Sequence, residues 1–240
     1  MNYHQSFPAI LRHDFIESFR VIGGCFMRRK WCLLAATLLL ALAILQLVPL
    51  DAWIVTQLTE VNSVDDTAAE MARHVSFFGD FLGFNLALFT GLSLAGWWRS
   101  SRRLQRLAVA SLVCAMCAGA TANTLRTLTG RPRPYVQAED RLTGPNFSTA
   151  YQALPSAHSA TAFGGALPVL LSCPQLGVPA ALLAGAVGWS RLQLNRHHLT
   201  DVLASAAIAL LFAVPLSGWA LHGSPASGST ASPSHALATT

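Results

Sequence analysis

Charge is what this 240-residue sequence has least of: 11% of its residues are Asp, Glu, Lys or Arg, against roughly a quarter in soluble domains. Beside 52% hydrophobic residues, that scarcity excludes a disordered chain, a coiled coil and most water-soluble domains. Cysteine is also sparse and odd in number, at Cys25, Cys32, Cys114, Cys117 and Cys173. All five fall at the expected cytoplasmic side or within apolar runs, where disulfides are not expected. The spacing Cys114-x-x-Cys117 resembles a redox pair, but it lies in mid-run with no histidine nearby, so it reads as inert packing. No internal repeat is present.

The apolar residues are gathered rather than spread. Uncharged stretches run over Trp31–Leu50, Phe81–Trp98, Leu107–Leu125, Ser159–Ser190 and Val202–Leu221, each close to or beyond the roughly 20 residues a helix needs to cross about 30 Å of hydrocarbon. The fourth holds 32 residues and is interrupted at Cys173-Pro174-Gln175-Leu176-Gly177. A helix-stopping proline followed by glycine predicts a tight hairpin there. The expectation is an all-α integral membrane bundle of six helices over residues 31–221. Residues 1–30 form a cytoplasmic segment and residues 222–240, rich in Gly, Ser, Pro and Ala, a disordered cytoplasmic tail. The first apolar run lacks a small-residue cleavage site and reads as a retained anchor.

The net charge of +5 divides into two populations. Nine of the 16 cations, among them Arg28, Arg29, Lys30, Arg99, Arg102, Arg103 and Arg106, flank the first two runs. The positive-inside rule makes those segments cytoplasmic, which places both termini inside a plasma or inner membrane and removes nucleic acid as a partner. Residues 51–80 are acidic, with Asp51, Glu60, Asp65, Asp66, Glu70 and Asp80 against Arg73, and so face outward. Within them Val64, Ala68, Met71, Ala72 and Val75 recur at helical spacing, predicting a surface-lying helix. His74 on it reads as an interfacial side chain, and Asp80 as a helix-terminus charge or a partner for an outer arginine.

The remaining cations stand where orientation does not ask for them. Arg126, Arg131, Arg133 and Arg141 follow the third run, and Arg191 and Arg196 follow the fifth. Headgroup anchoring is one cause; an anion site is another. Three segments meet on that outer face. In Arg126-Thr-Leu-Thr-Gly-Arg131-Pro-Arg133-Pro134 the prolines force extended backbone, so Arg131 and Arg133 point to one side. In Pro155-Ser156-Ala157-His158 Ser156 is a fit N-cap, and the helix N-terminus behind it offers free N–H groups to an anion. In Ser190-Arg191-Leu-Gln-Leu-Asn-Arg196-His197-His198-Leu-Thr-Asp201 the carboxylate lies four residues from His197 and three from His198, and can meet either on a helix. Arginines, a helix N-terminus, an aspartate-oriented histidine and a second histidine are the parts needed for phosphoryl transfer through a covalent histidine intermediate.

These three segments resemble those of the type 2 phosphatidic acid phosphatase (PAP2) superfamily, whose pattern is K-x6-R-P, P-S-G-H and S-R-x5-H-x3-D. The resemblance implies a lipid phosphatase with its active site at the outer membrane interface. It makes His197 rather than His198 the nucleophile, Asp201 its orienting partner and His158 the general acid, then base. Arg126, Arg133, Arg191, Ser156 and the backbone at Ala157 would bind the phosphoryl oxygens, with no metal and no cofactor. Arg131 and Arg196 would be headgroup or rim residues. Two positions depart from the pattern. Arg126 replaces lysine with a planar fork, and Ala157 replaces a glycine, which would strain the loop if positive φ were needed.

The expected partners are the bilayer and a phosphorylated lipid of the phosphatidic acid, phosphatidylglycerol phosphate, undecaprenyl diphosphate or lipid A class, with Tyr135–Leu154, including Pro145, Phe147 and Tyr151, as a specificity lid. The rival readings are an anion or lipid transporter using the same arginines, which would need charge at mid-membrane depth, and a vanadate-dependent haloperoxidase, a chemistry associated with soluble relatives.

Overall fold

In the computed structural model, residues 7–64, 66–78, 81–136, 138 and 142–223 are described. The disordered-tail expectation, Asp65, Asp80 and Arg141 lie outside them. Every regular element among the described residues is helical: α1 Phe7–Leu45, α2 Val48–Val64, α3 Thr67–Phe78, a π-turn at Phe81–Asn85 leading into α4 Leu86–Trp98, α5 Arg102–Thr129, a short 3-10 turn Thr149–Tyr151, α6 Ala157–Ser172, α7 Pro174–Gln193 and α8 Leu199–His222. α5, α6 and α8 pack on one another at the centre, α7 flanks α6, and α1 and α4 lie outside α8 and α5.

The central contacts use small side chains. Ala118 and Ala122 on α5 pack with Ala160 on α6 and Ala115 lies against Gly164, while Ala166 packs with Ala180 and Ala184 on α7, all buried. Lipid tails are as apolar as leucine, so helices in a bilayer gain by close backbone approach rather than by hiding large residues. Many large apolar side chains accordingly point outward, among them Leu38 and Leu42 on α1, Leu182 on α7 and Val214 on α8. This inside-out distribution is that of a helical membrane protein. α5 and α8 are each long and apolar enough to cross a membrane; counting the bent pairs α1–α2 and α3–α4 as one span each brings the number to four.

The expected hairpin is present, with a tighter break than foreseen. α6 ends at Ser172, Cys173 alone is non-helical, and Pro174 already opens α7, where its missing N–H costs nothing. Gly177 is therefore not a turn residue: it lies one turn into α7, and a Cβ there would collide with the Leu170 backbone.

Two boundaries differ from the sequence reading. The first apolar run does not end at Leu50; α1 stops at Leu45 and the chain bends by 48° into α2. Asp51, taken as the end of a span, instead sits in the first turn of α2, where an acid suits the helix dipole. At the other end, residues 7–28 form a helix continuous with the first apolar run apart from a kink at Arg29. Leu11, Phe15, Val21 and Ile22 pack against the cluster around Leu107, Leu216 and Trp219, and Arg102 Nη2 donates to both carboxylate oxygens of Asp14 at 3.0 Å. The amphipathic helix forms as α3, but its buried face is Ala69, Ala72 and Ser76, while Met71 points out. Cys114 is buried in the α5 core with a free thiol, and Cys117 is free beside it.

Candidate active site

α5 ends at Gly130, whose left-handed φ of +58° reverses the chain. A Cβ at Gly130 would strike the Gly144 carbonyl, so the turn needs glycine for both conformation and space. Beyond it residues 131–133 run extended beside 150–153: the Arg133 N–H donates to the Ala150 carbonyl at 2.9 Å and the Ala153 N–H to the Arg131 carbonyl at 3.0 Å. Arg133 stands close enough to Arg126, one turn before the end of α5, for the two like charges to repel. Neither has an ion pair among the described residues, and the Nε of each is buried without a hydrogen-bond partner. Two facing guanidinium groups with unsatisfied donors form a cradle for an anion.

Ser156 caps α6. Its hydroxyl accepts from the Ser159 N–H at 3.5 Å and the Ser159 hydroxyl at 3.0 Å, and it is fully buried. These bonds make Ser156 the cap that fixes the N-terminal turn carrying Ala157 and His158. Ala157 is the first helical residue and is not among the positive-φ positions, so the strain foreseen for alanine in place of glycine does not arise. The α6 N-terminus is tied to α8: the Ser156 N–H donates to the Asp201 carbonyl at 3.3 Å, and the Ser205 hydroxyl donates to the Ser156 carbonyl at 2.9 Å. The second and third segments therefore meet, as the hairpin requires.

His197 is 2% exposed, and its Nδ1 lies 2.7 Å from the Ala153 carbonyl oxygen. A carbonyl can only accept, so Nδ1 carries the proton and Nε2 carries the lone pair of the neutral ring. The Asp201 carboxylate is 3.8 Å from the same nitrogen. Its closer partners are the His198 N–H at 2.7 Å and His198 Nδ1 at 3.2 Å, a capping box at the start of α8. The tautomer of His197 is thus set by a backbone carbonyl, and Asp201 acts on it through charge. Burial pushes the His197 imidazolium down from its ordinary value and Arg191 pushes the same way, against the pull of Asp201 and Ala153. The ring is neutral at neutral pH.

Arg191, buried near the end of α7, donates from Nη1 to the Ser76 hydroxyl of α3. Arg131, expected at the rim, is instead a nearly buried strut, 12% exposed, between Asp201 at 2.6 Å and Asp51 at 2.8 Å. Two carboxylates draw it in more strongly than solvent holds it. Arg196 is at the rim, its guanidinium 5.6 Å from the centre of the Tyr135 ring. In the 135–154 loop Phe147 is exposed, and the structural role falls on Ala153, which joins the first segment through its N–H and the third through its carbonyl. Asp51, Ser76 and Ala153 were missed by sequence reasoning. Asp51 carried a signal, an acid beside an apolar run; the other two carried none.

His158 lines two clefts. One, of about 470 Å³, runs between α5 and α6 from Arg126 and Asn123 to Gly119, Met116 and Ala115. The other, of about 680 Å³, is bordered by Arg73, Ser76, Phe77, Leu82, Gly83 and Leu194. Among the described residues no group of three or more His, Cys, Asp or Glu side chains is placed to hold a metal ion.

The helical bundle thus carries paired arginines, a capped helix N-terminus and a buried histidine, groups whose chemistry suits an anion. The family model of the PAP2 superfamily matches residues 107–222, just under half of the chain. A solved structure of like fold is the crystal structure of the first transmembrane PAP2 type phosphatidylglycerolphosphate phosphatase from Bacillus subtilis. It aligns at TM-score 0.55 and 18% identity over 80% of this chain and 95% of that one. No curated protein matches the chain.

Proposed function

We propose that the protein is a membrane lipid phosphatase that releases the terminal phosphate of a phosphorylated lipid through a phosphohistidine intermediate. The observation that carries the reading is the neutral His197, with Nδ1 held by the Ala153 carbonyl at 2.7 Å and Nε2 left as the nucleophile, in the field of the Arg191 guanidinium. Phosphate oxygens sit among Arg126, Arg133, Arg191 and the N–H groups at Ala157 and His158. The Nε2 lone pair attacks phosphorus, the bond to the leaving oxygen breaks, and His158 gives that oxygen its proton. His158 then takes a proton from water, whose oxygen attacks phosphorus, and the P–N bond returns its electrons to Nε2. The arginines supply the positive charge that a metal supplies elsewhere.

The three motif segments cluster at one end of the bundle, which supports a site at the outer membrane interface with both termini on the cytoplasmic side. Six spans, α1, the α3–α4 pair, α5, α6, α7 and α8, satisfy that arrangement. Purified protein in detergent with EDTA is expected to release inorganic phosphate from at least one of phosphatidic acid, phosphatidylglycerol phosphate, undecaprenyl diphosphate and lipid A 1-phosphate. No release from any of the four, or release unaffected by His197→Ala, overturns the reading.

A further inference from the structure

Asp51 is 4% exposed, lies outside the three motif segments, and uses both oxygens inside the site. Oδ1 accepts from the Thr200 backbone N–H at 3.0 Å. Oδ2 accepts from the Thr200 hydroxyl at 2.6 Å and from Arg131 Nη2 at 2.8 Å. Arg131 Nη1 donates in turn to Asp201 Oδ1 at 2.6 Å and Thr200 Oγ1 at 2.7 Å. α2, the loop after α5 and the first turn of α8 are joined around one cation held between two carboxylates.

The charge balance gives this arrangement its meaning. Arg131 alone against Asp201 would make a neutral pair, and the field of Asp201 at His197, 3.8 Å away, would be largely cancelled. With Asp51 the cluster carries one net negative charge. We infer that Asp51 is a positioning residue of the candidate active site: it engages one side of the Arg131 guanidinium, leaves the charge of Asp201 available to His197, and fixes the first turn of α8 that presents Asp201. The inference rests on the phosphohistidine reading, in which His197 becomes cationic as it takes the phosphoryl group. The cation that acts on His197 is Arg191 on α7, and His198 at the start of α8 shares Asp201 with it. Asp51 and Asp201 are the acids of this cluster among the described residues.

The test compares Asp51→Asn, Arg131→Gln and the double variant by steady-state phosphate release across pH. Asp51→Asn is expected to lower kcat by about 10- to 100-fold with KM changed less than about threefold, because charge rather than phosphate contact is lost. Its acid limb of kcat/KM moves to lower pH, since the imidazolium loses support. The double variant regains at least about tenfold over Asp51→Asn, because it removes the cation that Asp51 offset. A residue that only held the fold would give a double variant no better than the worse single one. Loss of a buried charge also costs stability, so thermal unfolding is followed alongside. Asp51→Glu is the second variant and is expected to keep the wild-type acid limb. An Asp51→Asn enzyme within twofold of wild type, a double variant without recovery, or an Asp51→Glu limb displaced like that of Asp51→Asn overturns the role of Asp51. Turnover that survives His197→Ala overturns the phosphohistidine reading itself, and the role of Asp51 with it.

Discussion

The Nδ1 of His197 donates to the Ala153 carbonyl at 2.7 Å, while the Asp201 carboxylate stands 3.8 Å from the same nitrogen. The two functions usually joined in one carboxylate, fixing the ring and compensating its charge, are here divided. His197→Ala is expected to lower kcat by about 10⁴-fold or more, whereas Asp201→Asn, which leaves the tautomer held, costs about 10²-fold. Rapid-quench trapping of an acid-labile phosphoenzyme should show a burst in wild type, a slower burst in Asp201→Asn and none in His197→Ala. Equal losses for the two variants would return the orienting role to Asp201.

A histidine whose imidazolium is disfavoured by burial binds fewer protons in the folded chain than in the unfolded one. The stability it contributes is complete above the unfolded value of about 6.5 and is lost as pH falls through the lower folded value. The melting temperature in detergent should fall between neutral pH and pH 5, and His197→Gln should flatten that dependence. An unchanged slope in the variant would assign the acid sensitivity to other groups.

Ser76 is the side-chain partner that α3 offers to Arg191. Ser76→Ala removes a hydrogen bond to a guanidinium that the proposed function places on phosphate. The expected effect is a KM for the lipid raised roughly fivefold, equivalent to about 1 kcal/mol, with kcat moved less. A fall in kcat with unchanged KM would separate Arg191 from ground-state binding.

Gly177 and Gly185 lie on the same helix and meet different surroundings. A methyl group at Gly177 runs into the Leu170 backbone, and one at Gly185 meets nothing within 4 Å. Gly177→Ala should cost about 1–3 kcal/mol by forcing α6 and α7 apart, and Gly185→Ala should be neutral in thermal unfolding. Similar behaviour of the two would mean that the hairpin does not depend on that contact.

The helical class, the hairpin and the meeting of the three segments were legible because each leaves a local mark: apolar length, a proline followed by glycine, fixed spacing. Asp51 was visible but read as an end, since charge marks the limit of a span when its partner is unknown, and that partner, Arg131, is 80 residues away. Arg131 was misplaced for the same reason: nothing near it in the chain shows that two acids enclose it. Ala153 could not be found, because its part is played by backbone atoms whose direction depends on the whole loop. Ser156 was identified by its capping chemistry, and that is the chemistry its side chain performs.

α6 has 16 residues, which at 1.5 Å per residue makes it about 24 Å long, some 6 Å less than an ordinary hydrocarbon layer of about 30 Å. With its Ser172 end at one boundary, the turn bearing His158 stops below the other. In the lipid phosphatase proposed above, the substrate's phosphate would then be met without leaving its leaflet. On that reading turnover is expected to depend on membrane thickness: proteoliposomes of longer-chain lipids should slow the reaction while leaving detergent-solubilised protein indifferent to chain length.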